Sequence, residues 1–407
     1  MTATFVPQLV MLGPVPLDFI LFACVLLGIA LFHHYTFQVA VSGLVVIALY
    51  KALVTGTAFG PGFAGVGAVF AHEWITLANL FCLLVGFALL SKHFEDSHVP
   101  AIIPRFLPDD WKGGFMLLVL VFVMSGFLDN IAAALIGGTV ATAVYKGRVH
   151  IGYLAGIVAA SNAGGAGSVV GDTTTTMMWI DGVNPLEVLD AYIAAVAALL
   201  VFGVIAARQQ QAHAPIVKDA PEGIHVDWGR VGVVGFILVT AVTANVVANI
   251  WFPAAIDGFP VIGATVVAAL LVTAPVRKPD WSLIPSSVKG TIFLLCLVSC
   301  AAMMPVDKLP PASWPSTLGL GFVSAVFDNI PLTALALRQG GYDWGILAFA
   351  VGFGGSMVWF GSSAGVALSN QFPEARSVGQ WLRHGWHVAL GYLVGFLVLL
   401  MILGWHP

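Results

Sequence analysis

The sequence Ser-Gly-Phe-Leu-Asp-Asn fills residues 125–130, in the middle of an apolar stretch from Gly113 to Val144. That stretch is too long for one upright membrane span and too short for two. Two half-helices of about 15 residues would each reach only about 22 Å, so they can enter a bilayer and return without crossing it. We therefore predict a re-entrant helical hairpin at about residues 113–145, with Asp129 and Asn130 at its tip.

A second stretch of the same awkward length follows later in the chain, at about residues 313–338. It contains Asp328 and Asn329 within the run Ser-Ala-Val-Phe-Asp-Asn-Ile-Pro, and is predicted to form a second hairpin. After each hairpin comes an apolar segment interrupted by glycines, at about 151–180 and about 344–369. Because glycine disfavours a helix by about 1 kcal/mol relative to alanine, each segment is predicted to be a broken helix.

The composition places the whole chain in lipid. Of its residues 59% are hydrophobic and only 9% are charged, and the apolar runs are continuous rather than alternating. We predict an all-α polytopic membrane protein with membrane lipid as its surroundings. The net charge of −4 and the lack of a basic run exclude nucleic acid as a partner. The remaining spans are predicted near Leu17–Phe32, Phe37–Val54, Trp74–Leu90, Leu186–Ala206, Arg230–Trp251, Phe259–Ala274, Gly290–Pro305 and His384–Leu403.

The order of these elements repeats. Residues 1–206 and 229–407 each hold three spans, a hairpin, a broken helix and a final span, on either side of a polar linker at 207–228 that is predicted to be cytoplasmic. Each half crosses the membrane five times, an odd number, so the second half must start on the opposite face. The chain is therefore predicted to consist of two inverted repeats of five spans each, an architecture found in many secondary transporters.

The basic residues set the predicted orientation. With the N-terminus outside, thirteen of the sixteen Lys and Arg residues fall on the cytoplasmic face, in agreement with the positive-inside rule. Lys51, Lys308 and Arg338 are left outside. In this orientation the two hairpins enter from opposite faces, and their tips are predicted to approach each other halfway through the membrane.

Carboxylates inside these apolar stretches are the main functional signal. Asp129, Asp172 and Asp328 lie deep within them, where a carboxylate costs about 2.5 to 3.5 kcal/mol unless it has a partner or a water-filled cavity. Unwound backbone and hydroxyl groups beside Asp172 would add the oxygen ligands that a hard cation prefers. The polar residues that the sequence singles out at these points are Asp129, Asn130, Asn162, Ser168, Asp172, Thr173, Thr174, Thr175, Thr176, Asp328, Asn329, Ser356, Ser362 and Ser363.

These residues predict a transporter of cations, not an enzyme. Asp129 and Asp172 are the candidate sodium ligands, and a proton that competes for the same carboxylates would couple the two ions in exchange. We expect no resident cofactor, only sodium or lithium as cargo. Structural Asp residues that join helices and close glycine packing are the simpler explanations, and a passive channel or an intramembrane aspartyl protease remain alternatives.

Other polar residues do not strengthen a competing function. No Lys, Arg or His lies at the predicted hairpin tips or helix breaks, which counts against a small organic anion as the substrate. Positive helix ends could still hold one. Solvated positions in loops or at span ends are expected for His33, His34, His72, His93, His98 and His150. His384 and His387 are expected at the interface, at the start of the last span, with sensing of cytoplasmic pH as the alternative.

Four motifs resemble the ion transporter superfamily, and within it the bacterial NhaD-type sodium/proton antiporters: the two Asp-Asn runs quoted above, Gly-Asp-Thr-Thr-Thr-Thr-Met-Met-Trp at 171–179 and Gly-Gly-Ser-Met-Val-Trp-Phe-Gly-Ser-Ser-Ala-Gly at 354–365. The same superfamily includes citrate, dicarboxylate and arsenite permeases. The resemblance implies a functional set that overlaps the site above and adds Ser125 and Ser324.

The resemblance also carries wider implications. It implies sodium/proton exchange by alternating access, a homodimer with an elevator-like motion, and a multi-pass location in the bacterial inner (cell) membrane. One departure concerns the substrate, because Ile131 to Ala134 replace the threonines that tend to follow the first Asp-Asn pair in the antiporters. The alternative function is a proton- or sodium-coupled citrate or dicarboxylate transporter, including one that carries a metal–citrate complex.

Overall fold

The computed structural model describes residues 9–32, 35–102, 106–217, 225–252 and 258–407. Helices make up most of these residues, and a two-stranded hairpin, β1 (Met11–Leu12) and β2 (Val15–Pro16), precedes the first helix. The helices are α1 (Leu17–Leu31), α2 (Thr36–Tyr50), α3 (Gly62–Glu95), α4 (Val99–Ile102), α5 (Trp111–Ser125), α6 (Asn130–Val144), α7 (Ile151–Ala166), α8 (Thr173–Ile180), α9 (Pro185–Leu189), α10 (Ala191–His213), α11 (Trp228–Trp251), α12 (Val261–Thr273), α13 (Ile284–Ala302), α14 (Trp314–Ser324), α15 (Asn329–Gln339), α16 (Trp344–Gly354), α17 (Ser363–Gln371) and α18 (Val378–Leu403).

Helix length and composition confirm the predicted class. Among the described residues, five helical segments are long and apolar enough to cross a membrane: Thr36–Thr55, Gly62–Glu95, Pro185–His213, Trp281–Ala302 and Val378–Leu403. Shorter apolar helices accompany them, including α5, α6 and α12. The chain is an all-α polytopic membrane protein. The inverted relation of its two halves, the limits of the repeats and the cytoplasmic linker stay predictions, and residues 218–224 of that linker lie outside the described residues.

The chain forms two pairs of short helices around the Asp-Asn sequences. In the first half, α5 and α6 contact each other and are joined by residues 126–129. In the second half, α14 and α15 contact each other and are joined by residues 325–328. In both pairs the connecting segment ends in the aspartate of the Asp-Asn sequence, and the asparagine is the first residue of the following helix.

Both glycine-rich segments interrupt a helix. The first helix of the earlier segment, α7, ends at Ala166, and α8 begins at Thr173, so 167–172 is the non-helical part. In the later segment, α16 ends at Gly354 and passes into a 3-10 turn, Gly355–Met357. The helix resumes as α17 at Ser363. Four short helices therefore follow the two hairpins, two in each half of the chain.

Several predicted span limits are wrong. The span expected at Trp74–Leu90 is part of the 34-residue helix α3, which begins at Gly62. His72 and Glu73 suggested a helix boundary, but Glu73 is tolerated within the helix because it pairs with Arg338, their closest N and O atoms 2.9 Å apart. The final helix begins six residues earlier than predicted, at Val378, because Ser377 caps its first turn.

The positions expected for two of the histidines are wrong. His387 lies inside α18 rather than at its start and is fully buried. His93 is 1% exposed, and its Nδ1 lies 3.0 Å from Nη1 of Arg230. Periodicity did not reveal this burial, because both residues lie close to the predicted ends of apolar runs, where solvent exposure is the usual outcome.

The long helices pack in two groups. The helices α1 to α3 and α11 to α13 contact one another, and they are called the flanking group below. The two hairpins and broken helices pack with α10 and α18, and they are called the site group. The two groups meet where α13 contacts α15 and where α3 contacts α8. This boundary runs beside α8, which Asp172 caps, and α15, which Asp328 caps.

A buried ion pair joins the first two helices of the flanking group. Asp18 in the first turn of α1 pairs with Lys51, which begins a π-helical turn that extends α2 from Lys51 to Thr55. Their side chains are 0% and 1% exposed. Lys51 lies within the predicted span at Phe37–Val54, and its charge lies inside the protein because a buried carboxylate compensates it.

Removing one partner of this pair is expected to cost more than removing both. Lys51→Met leaves the Asp18 carboxylate buried without a countercharge, and should lower the free energy of unfolding by about 3 to 5 kcal/mol. The double variant Asp18→Leu with Lys51→Met should recover most of that loss. Thermal unfolding of the purified protein in detergent measures both effects. Equal destabilisation of single and double variants would contradict a specific ion pair.

Candidate functional site

Four helices begin at the predicted site, and each is capped by a side chain from the sequence motifs. Asp129 caps α6, Asp172 caps α8 and Asp328 caps α15, each accepting a hydrogen bond from the backbone N–H two residues on, at 2.8, 3.2 and 3.0 Å respectively. Ser362 caps α17 through the Gly365 N–H at 3.3 Å. An N-cap satisfies a free backbone donor and places negative charge at the positive end of a helix.

Asn162 connects the two halves of the chain. Its side-chain Oδ1 accepts a hydrogen bond from Asn130 at 3.2 Å, and its Nδ2 donates to the hydroxyls of Ser356 at 2.9 Å and Ser362 at 3.0 Å. All four residues are buried. One amide thus holds the tip of the first hairpin, the first broken helix and the second broken helix together, and it places four predicted site residues at one point.

Asp172 lies at the centre of the charged groups. Its side chain is 2% exposed, and its charge interacts with those of Asp129 and Asp328. A Cβ added at Gly352 would lie 3.2 Å from Oδ2 of Asp172, so the second broken helix passes directly beside the carboxylate. The structure therefore brings together the three carboxylates that the sequence singled out, from both halves of the chain.

Several buried polar atoms at this site have no hydrogen-bond partner among the described residues. Oδ2 of Asp172, Oγ of Ser125 and Oγ1 of Thr174 are such atoms, and so is Nδ2 of Asn329. A buried oxygen without a donor costs about 1 to 3 kcal/mol, so it is normally found beside a ligand or a water molecule. Three of these four atoms are oxygens, the donor type that a hard cation prefers.

Other predicted site residues use their side chains to hold the backbone. The hydroxyl of Thr175 donates to the carbonyls of Ser168 at 2.5 Å and Asp172 at 2.9 Å, which folds back the non-helical part of the first broken helix. Ser324 donates to the Val351 carbonyl at 2.7 Å and joins α14 to α16. Asp328 also accepts a hydrogen bond from Ser363 at 3.3 Å.

The glycines of the two helix breaks let the neighbouring hairpin backbone come close, in addition to favouring unwinding of the helix. A Cβ added at Gly171 would overlap the carbonyl oxygen of Ser125, at the end of the first arm of the first hairpin. A Cβ added at Gly361 would meet the carbonyl oxygen of Ala325 at 2.5 Å, in the corresponding place of the second half. Glycine packing and helix breakage, which the sequence offered as alternatives, therefore occur together.

One contributor to the site was missed. The Tyr192 hydroxyl, from the start of α10, donates to the Gly164 carbonyl at 3.0 Å. Gly164 precedes the break in α7, so the tyrosine satisfies a carbonyl that the interrupted helix leaves free. Nothing in the local sequence of α10 distinguishes this tyrosine from an interfacial aromatic residue, since its partner is 28 residues away.

The helical fold and the buried carboxylates define a multi-pass membrane protein with a polar site enclosed by helix ends. No protein-family model matches the chain. Curated relatives do match it. The Na(+)/H(+) antiporter NhaD of Vibrio cholerae is 26% identical over 334 residues, which cover 70% of this chain and 69% of that protein. The protein of the same name from Vibrio parahaemolyticus is 26% identical over 69% of this chain and 78% of its own length.

A plant relative matches over a smaller part of its length. Sodium/proton antiporter 1 of Arabidopsis thaliana is 25% identical over 291 residues, 63% of this chain, and the chain spans about half of that protein, 49%. These similarities confirm the resemblance to NhaD-type antiporters that the motifs predicted. The relatives are named as transporters, so the expectation that the chain is not an enzyme is also confirmed.

The double role of Asp172 can be separated by two substitutions. Asp172→Asn removes the charge and keeps a good N-cap, whereas Asp172→Ala removes both. We expect the Ala variant to be less stable than the Asn variant by about 1 kcal/mol, measured by thermal unfolding in detergent. The same two substitutions at Asp110, which caps α5 with an exposed side chain, provide the comparison. If Asn and Ala at position 172 unfold at the same temperature, the cap contributes nothing to stability.

Proposed function

We propose that this protein exchanges sodium or lithium ions for protons across the bacterial inner (cell) membrane by alternating access. The observation that carries the proposal is the Asp172 carboxylate, which is buried and has one oxygen, Oδ2, without a partner among the described residues. A carboxylate in that position requires either a bound cation or a proton. The names of the relatives support the same exchange.

Oxygen atoms around Asp172 suit a small hard cation. We assign Asp172, Ser125 and Thr174 as ligands because each has a buried oxygen outside any hydrogen bond of ordinary length, and the Thr174 side chain lies near enough to the Asp172 carboxylate to interact with it. Asp129 and Asp328 interact electrostatically with Asp172 and strengthen the negative potential. The positive ends of four helices partly offset the three carboxylates, so the site keeps a modest negative charge that one monovalent cation can neutralise.

Competition for the same carboxylate couples the two ions. Sodium binds the ionised form of Asp172, and a proton on the same group removes the charge that holds sodium. Because only the loaded or protonated site is neutral, the empty ionised site is the costly one to move through an apolar surrounding. The homodimer, the elevator-like motion and the role of the flanking group as its support are further proposals that rest on the resemblance.

Exchange is tested in proteoliposomes that contain a pH-reporting dye. A pulse of external sodium or lithium should make the interior alkaline in the native protein. Asp172→Asn and Asp129→Asn should reduce the signal to that of empty liposomes, because each removes a carboxylate from the shared site. Asp110→Asn, the same change at an exposed N-cap outside the site, should leave it unchanged.

The same vesicles test the alternative substrate, citrate. Labelled citrate, with and without a divalent metal, should not accumulate under a sodium or proton gradient. Citrate uptake without sodium-evoked alkalinisation would replace the proposal with the organic-anion function. Full exchange by both aspartate variants, recovered from the membrane in native amounts, would refute the assignment of the site.

A further inference from the structure

A cavity of about 650 Å³ lies beside the site, at the boundary between the site group and the flanking group. It is lined from α3 by His72, Glu73 and Asn79, from α8 by Met177, from the residue after α8 by Asp181, and from α15 by Arg338. Both α8 and α15 begin at a site aspartate. The cavity therefore runs along the two helices whose N-termini carry Asp172 and Asp328.

Helix geometry gives the depth of this cavity. Met177 is four residues beyond the start of α8, and Ala334 is five residues beyond the start of α15, so its inner end lies about 6 to 8 Å along each helix from the site. Asp181 and Arg338 are about 12 to 14 Å along the same helices. The charged residues thus lie at the far end, on the face that the charge distribution assigns to the outside.

An ion pair crosses the far end of the cavity. Nη1 of Arg338 lies 2.9 Å from Oε1 of Glu73, and the two side chains are 24% and 19% exposed. Glu73 belongs to α3 of the flanking group, while Arg338 belongs to α15 of the site group. The pair therefore links one helix of each group across the far end of the cavity.

Asp181 adds a second carboxylate at the same end. Burial, with the nearby charge of Glu73, raises the pKa of Asp181 to about 6, against the opposing charges of Arg338 and His72. At neutral pH it is ionised, so two carboxylates face one guanidinium there. The far end of the cavity has a net negative charge, which concentrates cations rather than anions.

We propose that this cavity is the outer access path of the transported cation and that the Glu73–Arg338 ion pair is the gate across it. The proposal rests on the cation exchange proposed above. A partly exposed ion pair is weak enough to open thermally, and its removal takes away a link between α3 and α15 at the far end of the cavity. Arg338 acts on access to the site and does not touch the bound ion.

Cysteine labelling tests the gate without requiring transport. In a Cys24→Ser, Cys82→Ser background, Ala334→Cys places a thiol at the inner end of the cavity, and Ala302→Cys places one on its α13 wall. A membrane-impermeant maleimide added from outside should label them slowly. Adding Arg338→Gln should speed labelling roughly fivefold, the factor expected when a weak ion pair is lost. Ala198→Cys, fully buried in α10 and away from the cavity, should stay unlabelled.

Reversal of the two charges distinguishes the ion pair from a packing effect. Glu73→Gln should speed labelling as Arg338→Gln does, and Glu73→Arg combined with Arg338→Glu should restore slow labelling. Lys308→Gln, which breaks an exposed pair with Asp307 outside the cavity lining, should have no effect. Unchanged labelling in both single variants, or labelling from the cytoplasmic face alone, would overturn the proposal.

The outcomes for access and for exchange are separable. If the labelling pattern holds but sodium evokes no proton movement in the native protein, the access path stands and the exchange function fails. If exchange is present and labelling does not respond to the ion pair, the gate fails and the function stands. Recovery of each variant from detergent as a folded species by size-exclusion chromatography excludes misfolding as the cause.

Discussion

Burial of negative charge among apolar helices is the constraint on which this structure depends. Asp172 is almost fully buried and Asp129 and Asp328 are partly buried, and each is placed at the start of a helix, so that a backbone donor and the positive helix end offset part of its charge. This requirement explains why the helices are short. A continuous helix has no free N–H groups at its middle. An aspartate placed there would therefore have no backbone donor to offset its charge.

The same requirement accounts for how the surrounding residues are used. Hydroxyl groups such as that of Thr175 hold the backbone around a cap, and glycines such as Gly171 let the arm of a hairpin lie against the break. Asn162 then joins the parts through an amide that can accept on one side and donate on the other. The oxygens left without a partner are the second carboxylate oxygen of Asp172, whose first oxygen caps α8, and the hydroxyls of Ser125 and Thr174, and these are available to an ion.

Sequence periodicity and composition were enough to predict the features that are unfavourable inside a membrane. Asp129, Asp172 and Asp328 stood out because a charge within an apolar run is rare, and the glycine runs marked where helices stop. Pairwise compensation between distant residues could not be predicted in the same way. Asp18 and Lys51 each looked like residues at a span end, and Glu73 looked like a boundary, because their partners are far away in the sequence or on another helix. Tyr192 was missed for the same reason, and the capping role of the aspartates was hidden behind their charge.

The two broken helices differ in the residue that caps their second part, since Asp172 caps α8 and Ser362 caps α17. The two breaks therefore give the pocket one charged and one neutral helix start, while Asp328 adds a carboxylate from the second hairpin. A cation in this pocket is drawn toward the carboxylates and away from the Ser362 cap. Ser362 is left to orient the amide of Asn162, so the two breaks, which share their glycine-rich composition, offer different chemistry to an ion.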